Sequence, residues 1–141
     1  MKKEINIQIP DGFEIDKENS TFEKIVFKEV ENKLNKIYSF NKTTEEEFNK
    51  KWNGFEDHEK YGALEKLIVN YYNKEEKLNW KNSSQYKYYP YFIMDEDNFH
   101  YDCYYCWFTY CSASARLAYI RKDDMLEAVE LYLDVYKKSR L

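Results

Sequence analysis

Four groups of residues in this chain have types and spacings that could do chemistry. His100, Cys103 and Cys106 stand three apart with Cys111 beyond them, soft ligands that would suit zinc if a turn gathered them. The stretch has no Gly or Pro to form a knuckle and alternates like a strand, which sends His100 and Cys106 to one face and Cys103 and Cys111 to the other. No metal site is expected, and the cysteines read as small buried apolar residues. Asp95, Glu96 and Asp97, with Asp102 nearby, form an acidic cluster able to hold a hard cation or supply paired carboxylates, but a solvated hairpin turn uses the same residues. Ser112 and Ser114, set beside His100 or His58, lack a strained Gly-x-Ser-x-Gly elbow and an orienting partner for either histidine, so they read as turn formers. The fourth group centres on Arg116. One arginine suffices for a single phosphate when aromatic rings add stacking and hydroxyl donors, which makes Arg116 with Tyr105, Trp107, Tyr110 and Ser114 the candidate ligand set and Arg121 a second cation for it. The competing reading of Arg116 is an arginine bridging a strand to a helix.

Apart from His58 and Arg121 these groups sit in residues 86–120, which hold nearly half of the chain's aromatic residues. Three strands are predicted there, at 86–95, 99–111 and 116–120, with turns at Asp95-Glu96-Asp97-Asn98 and Ser112-Ala113-Ser114. Upstream, Ile5, Ile7 and Ile9 alternate with Asn6 and Gln8, and Ile25 and Phe27 alternate with Lys24 and Lys28. That pattern predicts an N-terminal hairpin with strands at 5–9 and 21–28. Residues 29–42 show no assignable pattern beyond a loop with a short strand at 36–40. Thr43 and Thr44 precede Glu46 and Glu47 by three residues, the spacing of a capping box, so a short helix should run to about Trp52 and stop at Asn53-Gly54.

Tyr61, Leu64, Leu67, Ile68 and Tyr71 predict an amphipathic helix over 58–77, followed by a polar connection in which Trp80 anchors the loop on the core. Asp124 and Glu127 have capping-box spacing for a last helix ending near Lys138, with Met125, Val129, Tyr132, Leu133 and Tyr136 buried. The fold class expected is α+β in a single domain, 1–141. It has an N-terminal β-hairpin, two helices, an aromatic-rich antiparallel sheet of about three strands and a C-terminal helix packed on the sheet.

Composition narrows the function. With 43% apolar and 34% charged residues the chain is that of an ordered domain. Three Gly and two Pro leave no glycine-rich phosphate loop. A net charge of -4, and the lack of any Lys or Arg between Tyr88 and Ala115, argue against long nucleic acid as a ligand of the aromatic sheet. No apolar run approaches the roughly 20 residues of a membrane span, and Met1-Lys2-Lys3 leads into the alternating isoleucines rather than a signal peptide. Three clustered cysteines, odd in number, suit a reducing cytoplasm.

The opening Ile7-Gln8-Ile9-Pro10-Asp11-Gly12-Phe13-Glu14-Ile15-Asp16, continued by Ser20-Thr21-Phe22-Glu23-Lys24-Ile25-Val26-Phe27-Lys28, resembles the start of a large family of small proteins from phages and mobile elements of Bacteroides-type bacteria. Ala63-Leu64-Glu65-Lys66-Leu67, Tyr71-Tyr72-Asn73 and Asn79-Trp80 are similar to its middle helix and tryptophan loop, and Arg116-Leu117-Ala118-Tyr119 with the last helix to its close. Residues 29–42 depart from it. The resemblance implies a phage or mobile-element origin and an accessory role, without implying a reaction. With no catalytic constellation and no cofactor motif, the expected function is a non-catalytic binding module, serving host takeover or anti-defence by binding a host protein or sequestering a small nucleotide-like signal. The alternative is a virion or assembly component, with a small enzyme behind both. In the strand 99–111 the sets Tyr104, Cys106, Phe108, Tyr110 and Cys103, Tyr105, Trp107, Thr109 are both apolar or aromatic, so both faces should be covered. Helices can cover one, and the N-terminal hairpin or a partner copy the other. A two-fold homodimer in the host cytoplasm, or a place in the virion, is the resulting expectation.

Overall fold

Short polar side chains shape the first part of the chain. The computed structural model describes residues 6–10, 13–29, 33–74, 76–95, 98–108 and 117–141, and the chain divides into two units, 1–33 and 34–141. In the first unit β1 (Phe13–Ile15) pairs antiparallel with β2 (Phe27–Glu29), Ile15 opposite Phe27. The Asp16 carboxylate accepts from the N–H groups of Glu18 and Asn19 at 3.1 and 3.2 Å, and its bond from the Asn19 amide holds the carboxyl below its usual range. A hairpin exists, but not between the predicted strands. Ile7 and Ile9 are exposed and outside any strand, and Ile5 lies outside the described residues. Thr21 Oγ1 accepts the N–H groups of Glu23 and Lys24, a local turn that takes donors a ladder would need, and pairing starts only at Phe27.

The second unit opens with α1 (Lys33–Phe40), where a loop and a short strand at 36–40 were predicted. Leu34, Ile37 and Tyr38 recur at helical spacing and pack into the core, a pattern masked by the intervening Asn and Lys residues. The helix stops because Lys42 turns to φ 57° and Thr43 N–H returns to the Tyr38 carbonyl. Asn41 closes that end and ties it to the helix that carries Leu67, donating to the carbonyls of Ile37 at 2.8 Å and Leu67 at 3.0 Å. The helix α2 (Glu45–Lys51) begins on the predicted capping box: Thr44 Oγ1 accepts the Glu47 N–H, and the Glu47 carboxylate accepts the Thr44 N–H. Gly54 follows at φ 85°.

The amphipathic helix α3 (Asp57–Asn73) ends four residues before the predicted limit at 77. Its buried stripe, Leu64, Glu65, Ile68, Val69, Tyr72 and Asn73, is rotated from the predicted one, and Tyr61, Leu67 and Tyr71 are only half-buried. Two polar residues belong to that stripe because tertiary partners satisfy them, which hydrophobic periodicity does not register. The last helix, α4 (Lys122–Lys138), packs on both α3 and the sheet. Asp124 does not cap it; its carboxylate takes the Arg121 guanidinium at 2.6 Å. Tyr132 has non-helical torsions (φ -124°, ψ 29°), yet the buried stripe Met125, Ala128, Val129, Tyr132, Val135 and Tyr136 keeps its three-and-four spacing through it, and Leu133 lies at the edge of that stripe, half-buried. Leu133→Ala should therefore cost about 1 kcal/mol, below the range for a fully buried leucine. A loss above about 2 kcal/mol in chemical denaturation would contradict that placement.

The aromatic sheet is a long two-stranded ribbon, β3 (Lys87–Asp95) antiparallel to β4 (Asn98–Trp107). The predicted third strand contracts to one bridge, in which Tyr88 and Tyr119 exchange backbone bonds of 2.8 and 2.9 Å. β3 is thus the inner strand. The turn residues Glu96, Asp97 and 112–114, and the strand end at 109–111, lie outside the described residues. Tyr91 faces Cys103 and Phe92 faces Tyr101, so Asp102 forms a bulge. The architecture is α+β, and among the described residues no helix is long and apolar enough to cross a membrane.

Tyrosines carry much of this core. Tyr119 and Tyr136 are buried with their hydroxyls bonded to each other, and Tyr72 and Tyr132 are buried beside them. Burial raises all four phenols, Tyr132 to about 12. A phenol whose folded value exceeds its unfolded one stabilises the fold fully below the unfolded value of 10.0 and loses that contribution as pH rises through the folded value. Unfolding should thus set in above about pH 10, with phenolate absorbance from these four rising only as circular dichroism is lost. Ionisation of all 15 tyrosines in a chain with native dichroism would refute it.

Candidate binding surfaces

Facing pairs on a ribbon share a side, so the register sorts its side chains. Tyr88, Phe92, Phe99 and Tyr101 lie on the side that meets α4, and Phe92 packs 5.0 Å from the Tyr136 ring. The other side carries Tyr89, Tyr91, Cys103, Tyr105 and Trp107. Tyr91 contacts Tyr105 at 4.5 Å between ring centroids, and Tyr105 stacks on Trp107 at 6.4 Å and 11°. This row is open: Tyr91 is 54% exposed, Tyr105 47% and Trp107 42%. Within the single chain this end of the ribbon is open on both sides, since Tyr104 and Phe108 on the helix side are exposed as well. α4 is a single helix laid on a longer ribbon, and its start reaches only to Tyr104, where the Lys122 ammonium sits 4.7 Å from the ring.

Of the candidate ligand set, Tyr105 and Trp107 share the open face, while Tyr110, Ser114 and Arg116 lie outside the described residues. Arg121, proposed as a second ligand cation, is occupied. Its Nε and Nη1 donate to Asp124 and Glu76, both at 2.6 Å, and its Nη2 donates to the Tyr72 carbonyl at 2.8 Å, which ties the end of α3 to the start of α4. The bulge corrects the cysteine reading. His100 faces Ile93 and Cys103 faces Tyr91 on the open side, while Cys106 faces Tyr88 on the other, so His100 joins Cys103 rather than Cys106. Both thiols are raised, Cys103 by its bond to the Asp102 carboxylate and by burial, Cys106 by burial. Among the described residues no group of three His, Cys, Asp or Glu side chains is placed to hold a metal ion.

The strongest local construction is one that the sequence reading passed over. Lys87 starts β3 fully buried, and its Nζ donates to the carbonyls of Asn79, Asn82, Gln85 and Phe108 at 2.6–3.0 Å. Burial pulls its proton affinity down, while four converging carbonyl dipoles favour the ammonium. Three of those carbonyls belong to the polar connection, which Asn79, Asn82 and Gln85 also close through side-chain bonds to its backbone. Trp80 is held there with its ring centroid 5.4 Å from the Lys87 Nζ. Next to this loop, the end of α3 and residues 76–80 enclose an open cleft of about 600 Å³.

Two more polar side chains are buried in α3. Asn73 donates to the Ala118 carbonyl at 2.9 Å and accepts from the Ile120 N–H at 3.0 Å, pairing the helix with the bridge segment as a strand would. Glu65 takes both guanidinium nitrogens of Arg140 at 2.9 and 3.0 Å, and the Ser139 hydroxyl at 2.9 Å. A lone Lys in an aromatic strand, and an Asn and a Glu at apolar helix positions, were the available signals for these sites. No protein-family model, curated protein or solved structure matches the chain.

Proposed function

We propose that this chain is a non-catalytic binding module whose contact surface is the open face of the ribbon. The observation that carries it is the exposed row of Tyr91, Tyr105 and Trp107, in ring-to-ring contact along β3 and β4, with Tyr91 tilted on Tyr105 and Tyr105 parallel to Trp107. Large aromatic rings with polar tips are the side chains that protein contact sites favour, because they bring area and hydrogen bonds at little cost in side-chain entropy. Among the described residues the face exposes no Lys or Arg, since Lys87, which lies opposite Trp107 on this side, is buried with its ammonium turned to backbone carbonyls; this favours a protein surface over a polyanion. A second copy is its simplest occupant, related by a two-fold that presents the same row twice. The resemblance to phage and mobile-element proteins supports an accessory role in a bacterial host, with host takeover or anti-defence as the setting.

Light scattering coupled to size exclusion, run on the parent and on Tyr105→Asp/Trp107→Asp, tests the face. The parent should run near twice 17.4 kDa and the double variant as a folded monomer. Should the parent be a monomer, the double variant must lose proteins that co-purify with the parent from its native host. An unchanged mass together with an unchanged set of co-purifying proteins, in a variant with native dichroism, overturns the reading.

A further inference from the structure

The cleft beside the end of α3 has a chemistry that the ribbon face does not use. Its volume of about 600 Å³ suits one small molecule. Val69 and Leu78 give it apolar wall, Trp80 gives it an aromatic ring, and Lys66, Lys74 and Lys77 border it. All three lysines are exposed, and none has an ion-pair partner among the described residues. The one described carboxylate of the lining, Glu76, is neutralised by Arg121 at 2.6 Å. Three ammonium groups at one cleft, unpaired among the described residues, stand out in a chain of net charge -4.

A helix C-terminus ordinarily repels an anion through its free carbonyls. Here the last three are engaged: Tyr71 by the Lys74 N–H, Tyr72 by Arg121, and Asn73 by the Glu76 N–H. Trp80 is also fixed before any ligand arrives, since its loop is tied through three carbonyls to the buried Lys87 ammonium, and the residue is only partly buried, which leaves some of it open to the cleft. A preset ring avoids the ordering cost that weakens binding to mobile loops. An aromatic surface beside several cations selects a planar ring that carries an anionic group.

We propose that this cleft binds a small aromatic anion of the nucleoside phosphate class, with the base against Trp80 and the phosphate among Lys66, Lys74 and Lys77. The site shares no residue with the ribbon face and does not depend on that reading. Calorimetric titration of the full chain with adenosine and guanosine 5′-monophosphates, with the free nucleosides and inorganic phosphate as fragments, tests it. A nucleotide should bind at least roughly tenfold more tightly than either fragment, because stacking and charge-assisted bonds both contribute. Lys74→Gln and Lys77→Gln, at exposed positions, should each weaken it by roughly tenfold, and Trp80→Leu should reduce it to the level of inorganic phosphate. Tyr105→Asp/Trp107→Asp should leave it unchanged. Four outcomes overturn the proposal: no heat with any nucleotide at millimolar concentration, binding indifferent to the lysine variants, inorganic phosphate binding as tightly as the nucleotide, or affinity that grows with oligonucleotide length.

Discussion

Replacing Arg140 by Met should destabilise the fold by about 3 kcal/mol, the lower end of the cost of breaking a buried ion pair, because the Arg140 side chain is itself a third open. Glu65 is 2% exposed and its two oxygens receive a bidentate guanidinium, with the Ser139 hydroxyl as third donor. Removing the guanidinium leaves a carboxylate in the core with one hydroxyl for company. Methionine keeps apolar cover over Phe92 and Tyr136, whose rings lie 5.1 and 5.3 Å from the guanidinium carbon, so the loss reports the charge rather than the packing. Urea denaturation of Arg140→Met, Glu65→Gln and the double variant measures the coupling. The double variant should recover most of the loss, since no buried charge then remains. A single-variant loss under about 1 kcal/mol would mean that water screens the pair.

Lys87→Met should cost a similar amount, about 3 kcal/mol, and should loosen one segment in particular. The ammonium makes charge-assisted bonds worth roughly 1.5–3 kcal/mol each, and recovering the cost of burying the charge offsets only part of their loss. Methionine fills the same channel but leaves the carbonyls of Asn79, Asn82, Gln85 and Phe108 facing one another without a donor. Limited proteolysis should then cut within residues 78–85 before the helices. A variant with parent stability and an uncut loop would show that water replaces the ammonium without loss.

What the sequence made legible follows from how locally each element is determined. The start of α2 was readable because Thr44 and Glu47 satisfy each other within one turn. α1 was not, since Asn and Lys residues dilute an apolar spacing that only the core it packs against makes decisive. Leu133 was read as core from its place in the stripe, but the buried face runs through Ala128 and Val135 instead, and Ala128 gives too weak a hydrophobic signal to show that side as the centre of the stripe. The sites divide in the same way. Tyr105 and Trp107 share a face because alternation within five residues is local. Lys87, Glu65 and Asn73 depend on partners distant in the chain, among them Phe108, Arg140 and Ala118, and no pattern near each residue announces them.

The bulge at Asp102 also decides where the ribbon tolerates a change of length. Tyr101 opposes Phe92 and Cys103 opposes Tyr91, so a chain lacking Asp102 alone would form an uninterrupted ladder with every side chain still on its present side. Loss of one residue elsewhere in β4 has the opposite result, because it carries every position between the gap and the end of the strand through to the other side. Phe99 and Tyr101 would leave the core in one case, or Tyr105 and Trp107 the open row in another. Insertions and deletions among relatives of this chain should therefore cluster at Asp102 and spare the rest of the ribbon.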